Sequence, residues 1–148
     1  FFRIGWSIAD ENVVSAAAQF VEPIASCPSS LSQYAAEAAI KGSQECVDEM
    51  LEAYSRRTEI AMSILGKAGL VVSKPLGAFY MMVDISKTGQ NSDDFVRNLL
   101  DDVGIAVAPG QTFGHSSMNS IRISTAVSDD DVKKGSILIR DYITSNSL

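Results

Sequence analysis

The sequence predicts an α+β fold, an α/β sandwich in which helices pack on a small, largely antiparallel sheet. Three observations point there. Apolar positions at helical spacing occupy much of residues 13–67, the apolar period changes to two from Gly69 onward, and strand and helix signals then follow one another without a strict strand–helix–strand rhythm. The chain has 148 residues, with 20% of them charged and Leu, Ile, Val or Phe at 40 positions, so it can bury a core without disulfides or a metal.

The first element is an expected strand over residues 1–9, because Phe1-Phe2-Arg3-Ile4-Gly5-Trp6 opens on bulky strand formers with no initiator Met and no signal-peptide layout. The chain therefore reads as a fragment that begins inside a larger protein. Asp10-Glu11-Asn12 offers acceptors to free backbone N–H groups, and the Ala-rich run 13–21 predicts a helix stopped near Pro23. Ser30-Leu31-Ser32-Gln33 matches a capping box, opening a second helix that ends at Gly42. From Ser43 to Lys67, Val47, Met50, Leu51, Tyr54, Ala61, Met62 and Leu65 recur at helical spacing. A helix of about 25 residues reaches roughly 37 Å, longer than a small domain needs, which predicts that it braces two domains.

Residues 70–72 and 78–85 then read as strands joined by the turn Lys74-Pro75-Leu76-Gly77. Asn91-Ser92-Asp93-Asp94 caps a helix over 95–103 that Gly104 stops. A short strand over 105–108 enters the turn Pro109-Gly110, and a loop with Phe113-Gly114-His115 leads to a last strand over 121–127. Ser128-Asp129-Asp130-Asp131 opens the closing helix, which runs to about Ser145. The expected domain boundaries are 1–10 (the end of a preceding domain), 11–42 (a helical connection), 43–68 (the long helix) and 69–148 (a small α+β domain).

Charge and cysteine usage exclude several function classes. Net charge is −6 with no stripe of Lys or Arg, so nucleic acid is not an expected partner. No apolar run approaches the ~20 residues of a membrane span, and the chain is expected to be soluble and cytoplasmic. Cys27, Cys46 and the single histidine, His115, are too few for a Cys/His zinc site, so no metal is expected, and the two thiols are expected to be buried or half-buried in a reducing compartment. His115 lies among Gly114, Ser116 and Ser117 with no nucleophile motif nearby, which suits a surface loop. The acids Asp93, Asp94, Asp129, Asp130 and Asp131 sit at helix starts and are assigned capping roles.

Two arginines stand out. In Ile121-Arg122-Ile123-Ser124-Thr125-Ala126, alternation sends Ile121 and Ile123 to one face and Arg122, Ser124 and Ala126 to the other. A guanidinium above small neighbours can hold a carboxylate through two parallel hydrogen bonds, although spacing alone favours an arginine on a solvated sheet face. Arg3 precedes Gly5, where the missing Cβ lets another group come close; a phosphate suits that pair, as does a plain surface position.

Taken together, Arg3-Ile4-Gly5-Trp6, Pro28-Ser29-Ser30-Leu31-Ser32-Gln33, Tyr54-Ser55-Arg56-Arg57, Pro75-Leu76-Gly77-Ala78-Phe79-Tyr80, Val107-Ala108-Pro109-Gly110 with Phe113-Gly114, and Ile121-Arg122-Ile123-Ser124 resemble the C-terminal part of class I/II aminotransferases. The resemblance implies a pyridoxal-phosphate enzyme of fold type I, a homodimer acting on an amino acid and a 2-oxo acid. In it residues 69–148 form the small C-terminal domain, Arg3 binds the cofactor phosphate and Arg122 binds the substrate α-carboxylate. The family's cofactor-bearing lysine precedes the R-x-G segment. None of Lys41, Lys67, Lys74, Lys87, Lys133 and Lys134 matches it, so no catalytic residue is expected in this fragment and it is expected to be inactive alone. Phe1 departs from the family's glycine two positions before the phosphate arginine. Sister activities with the same motifs, a β-lyase, a decarboxylase or a cyclopropane-forming synthase, stay open, as does a non-catalytic module that binds a carboxylate or a partner.

Overall fold

The computed structural model describes residues 3–148, so the first two residues of the expected opening strand, and with them the departure at Phe1, lie outside the described residues. The chain divides into two compact units, Phe1–Cys46 and Val47–Leu148.

The first unit holds two helices, α1 (Glu11–Ala25) and α2 (Ser30–Lys41). Residues 3–10 carry no strand, contrary to the expectation, because a strand is defined by pairing and bulky residues alone supply no partner edge. Asp10 caps α1 by accepting from the Asn12 N–H at 3.0 Å. The helix passes through Pro23 and ends at Ala25, where Ser26 turns into positive φ (51°) and donates its N–H to the Glu22 carbonyl at 3.0 Å. The expected Ser30/Gln33 capping box does not form. Ser30 is already helical, Ser29 takes the N-cap position, and Gln33 Nε2 reaches past it to the Pro28 carbonyl at 2.9 Å. Gly42 ends α2 because its own N–H closes on the Ala38 carbonyl, and a Cβ there would sit 2.8 Å from that oxygen. No residue of α1 or α2 is buried. Val13, Phe20, Ile24, Leu31, Tyr34 and Ile40 all stand exposed. Cys27 and Cys46 are exposed as well, which corrects the expectation of buried thiols: neither helix of this unit has a core for them to enter.

The second unit contains the hydrophobic core. Helix α3 (Glu45–Ala61) starts just before it and continues into one π-turn, Met62–Gly66, so the predicted long helix is present with a widened last turn. Ala61 and Leu65 point into the core, four positions apart on one face. Strands β1 (Tyr80–Asp84), β2 (Ala108–Pro109) and β3 (Ser120–Ser124) form an antiparallel sheet in the order β1-β3-β2, with helices α4 (Ser92–Val103) and α5 (Asp129–Ser145) beside it. This is the helix-on-antiparallel-sheet fold that the sequence predicts.

All four strands expected after Gly69 are shorter than predicted, 78–85 pairing over Tyr80–Asp84 and 121–127 giving way to Ser120–Ser124, and the other two shrink most. Residues 70–72 pair only at the Val71–Val83 bridge, flanked by bonds from Val72 N–H to Met82 O (3.1 Å) and from Asp84 N–H to Leu70 O (2.6 Å). Of 105–108 only Ala108 joins a ladder, while Ile105 and Val107 pack against the core instead. One sheet face carries Met81, Val83, Ile121 and Ile123 into a core completed by Phe95 and Leu99 of α4 and Val132, Ile139 and Ile143 of α5. Burying each such side chain contributes about 1.5–3 kcal/mol, which is what holds the sheet to its helices. The helix caps are as predicted at both sites: Asn91 accepts from the Asp94 N–H at 2.9 Å and Ser128 from the Asp131 N–H at 3.1 Å.

Candidate functional site

The opposite face of the sheet is open. With Met81, Val83, Ile121 and Ile123 turned inward, the pleat turns Tyr80, Met82, Arg122 and Ser124 outward. Arg122 is central in this arrangement. It occupies the middle strand, opposite Met82 on β1 and Ala108 on β2. Its half-buried side chain leaves a shallow recess lined by Tyr80, Ala106, Val107, Ala108 and Ser124.

Two aromatic rings face its guanidinium. The carbon Cζ lies 4.1 Å from the centroid of the Tyr80 ring and 4.1 Å from that of the Phe113 ring. Tyr80 comes from β1, two register positions from Met82 and so on the same face, and Phe113 from the short helical turn Gly110–Phe113 that follows β2. Behind Tyr80 the stack continues through Phe79, at 4.3 Å between centroids, to Tyr54 of α3 at 5.4 Å from Phe79.

Among the described residues the Arg122 guanidinium makes no ion pair with a carboxylate. The ion pairs present are Lys41–Glu37, Arg56–Asp129, Arg57–Asp129 and Arg140–Asp141. A cation held over two ring faces, with no ion pair among the described residues, is a ready binding site for an anion, and the guanidinium fork matches a planar carboxylate best.

Arg3 belongs to the first unit. Its backbone lies at positive φ (42°), its side chain is exposed, and among the described residues it too has no ion pair. A Cβ built at Gly5 would meet nothing within 4 Å, so the backbone beside Arg3 is accessible. His115 is exposed in a turn of its own, as expected, and among the described residues no group of His, Cys, Asp and Glu could hold a metal. No helix is long and apolar enough to cross a membrane among those residues.

Two of the capping roles assigned from sequence change, those of Asp129 and Asp93. Asp129 lies in the first turn of α5, but Ser128 makes the cap, and the Asp129 carboxylate instead accepts from Arg56 Nε at 2.6 Å and Arg57 Nε at 2.9 Å. The hydrogen bonds from Arg56 and then Arg57 hold its carboxyl below the usual carboxylate range. Asp94 and Asp131 do take part in caps, accepting from Asn91 Nδ2 and Ser128 Oγ. Asp93 accepts from the side chain of Gln111, tying α4 to the loop that carries Phe113.

The residues that sequence reasoning missed are the two rings. Tyr80 carried a signal, since alternation in the 80–84 strand places it on the same face as Met82 and hence Arg122. Phe113 belongs to a motif of the resemblance but carries no signal of contact with Arg122, because it sits in a loop whose approach depends on where the loop is anchored.

Comparison with known proteins fits this arrangement. The family described as aminotransferase class I and II matches residues 2–135. The chain is 37% identical over 133 residues to an aspartate aminotransferase of Bacillus sp. strain YM-2, covering 86% of this chain and 33% of the relative. It is 33% identical over 135 residues to aromatic-amino-acid aminotransferase 2 of Thermococcus litoralis, covering 90% and 35%. Among solved structures, an aromatic aminotransferase from Pyrococcus horikoshii OT3 superposes with a TM-score of 0.80 at 31% identity, over 93% of this chain and 37% of that one. An aminotransferase from Mycobacterium tuberculosis does so with a TM-score of 0.85 at 28% identity, over 97% and 38%. The chain thus spans about a third of the length of these relatives.

Proposed function

Because this chain belongs to the class I and II aminotransferase family, we propose that it is part of an enzyme that moves an amino group between an amino acid and a 2-oxo acid. In this reading Arg122 receives the substrate α-carboxylate, and Arg3 receives the phosphate of pyridoxal phosphate. The observation that carries it is the Arg122 guanidinium, set on the open sheet face against two rings and, among the described residues, with no carboxylate of its own.

Arg3 fits the cofactor on the observation that its exposed cation is unpaired among the described residues and that the backbone at Gly5 leaves room for a phosphate. When bound, pyridoxal phosphate supplies an electron sink for the bond to the substrate Cα. The contribution of this chain is positional. Two parallel hydrogen bonds from Arg122 fix both the location and the plane of the carboxylate, which leaves the substrate only rotation about its Cα–carboxylate axis. Binding of amino donor and 2-oxo acceptor uses the same contact, since both end in a carboxylate beside the reacting carbon. The same reading makes residues 69–148 the small domain, 43–68 the helix leading to it and 1–10 the end of the cofactor domain, in a homodimeric cytoplasmic protein, with the cofactor-bearing lysine outside this chain.

Arg122→Ala in the full-length protein tests the assignment. The expected result is a rise in KM of roughly tenfold or more for both amino acid and 2-oxo acid, the size of a lost charge-assisted hydrogen-bond pair, with cofactor binding intact. An unchanged KM would reject the role. Amino transfer that requires an added 2-oxo acid separates this activity from a lyase or decarboxylase.

A further inference from the structure

We propose that Tyr80 and Phe113 act as an aromatic clamp that positions the Arg122 guanidinium, and that the loop 110–118 sets the clamp through its ties to α4. The inference rests on the reading of Arg122 as the carboxylate anchor and adds positioning residues to it.

The rings are placed where burial does not explain them. Phe113 is 46% exposed and Tyr80 39% exposed, although both are large and apolar-faced. What each presents its face to is the same guanidinium carbon, at the same 4.1 Å. An aromatic face attracts a cation electrostatically, and more strongly as water is excluded, so the two rings favour one position of an otherwise mobile side chain. Neither ring offers an acceptor that pairs with the guanidinium N–H groups, which among the described residues form no ion pair and so stay available to a carboxylate binding bidentately. Ordering Arg122 before the ligand arrives removes part of the entropy cost of binding.

Phe113 is held in place by its loop. The Gln111 N–H donates to Ser92 Oγ at 3.2 Å, the Ser92 N–H donates to the Met118 carbonyl at 3.2 Å, and the Gln111 side chain donates to the Asp93 carboxylate. Ser92 is fully buried at the start of α4, so the loop is fastened at both ends to a fixed point of the core. Tyr80 is backed in turn by Phe79 and, through it, by Tyr54 of α3.

The test is a double-mutant cycle in the full-length protein loaded with pyridoxal phosphate. It uses 2-oxoglutarate as acceptor and the common amino acid that the wild type turns over fastest as donor. Phe113→Leu and Tyr80→Leu, which keep apolar volume and remove the ring face, are expected to raise the KM for the amino acid about three- to tenfold, with kcat nearly constant and cofactor absorbance unchanged. Phe113→Tyr is expected to restore the wild-type KM. In the Arg122→Ala background Phe113→Leu is expected to add nothing, because the clamp works only through that guanidinium. If Arg122→Ala raises KM but both leucine variants leave it within about twofold, the clamp is overturned and the carboxylate reading stands. An equal effect of Phe113→Leu with and without Arg122 also overturns the clamp, since the ring then acts on the fold alone. If Arg122→Ala itself changes nothing, both fall together.

Discussion

The phenol of Tyr142 donates a hydrogen bond to Oδ2 of Asp102 at 2.7 Å, joining α5 to the last turn of α4. The ring of Tyr142 also meets Phe95 edge-on, with centroids 5.6 Å apart, so the same residue closes the core and ties its polar tip to the neighbouring helix. Burial of the phenol, then its hydrogen bond to Asp102 and that residue's negative charge, push its ionisation up to about 12. The folded value lies above the ordinary one near pH 10, so the stabilisation is fully present below about pH 10 and is lost as pH rises through the folded value. Tyr142→Phe should remove a phenolate step near pH 12 from an ultraviolet titration of the folded protein. At neutral pH it should cost about 1 kcal/mol of unfolding free energy in urea melts. A titration identical to wild type would show that another phenol is responsible.

Arg56 and Arg57 of α3 share the carboxylate of Asp129, which pins the start of α5 across the second unit. Since these bonds lower the Asp129 carboxyl, their stabilisation is present above the ordinary carboxylate range and disappears as pH falls through the lowered value. Asp129→Asn should therefore lower the thermal midpoint at neutral pH, and the gap to wild type should narrow once the pH drops well below about 4. Circular dichroism melts at neutral and acid pH make the comparison, and a gap of constant size would assign the loss to something other than the charge on Asp129.

Gly110 has no room for a side chain. A Cβ there would collide with the backbone carbonyl oxygens of Ser117 and Ser120, neither of which can swing aside. Gly110→Ala should force the loop away from its seat and cost about 1–3 kcal/mol, the usual range for overpacking. Because Phe113 lies on that loop, the variant should weaken carboxylate binding more than it weakens cofactor binding. Substrate and cofactor titrations of the same preparation measure the two, and equal losses would mean that only global stability has changed.

The residues that read correctly from sequence are those whose signal is local. Asn91 and Ser128 announce their helices within three positions, and the alternation Ile121-Arg122-Ile123 separates core from open face without help from any other strand. Ser30 and Gln33 show the limit of such signals, because the motif matched while the chain started its helix one residue early. The apolar runs at 70–72 and 105–108 predict longer strands than form for a related reason: apolar residues favour extended backbone, but ladder length is set by how much partner strand lies alongside.

At the site the division is sharper. Sequence alone determined the α+β plan, the family resemblance, and the choice of Arg122 as the side chain directed away from the core. Only the tertiary structure decided that Tyr80 and Phe113 face that guanidinium, that Asp129 goes to two arginines, and that Cys27 and Cys46 lie exposed. Periodicity and capping act over a few neighbouring residues and can be read in one dimension. Contacts between residues 9 or 73 positions apart depend on strand register and loop anchorage, which exist only once the core has packed.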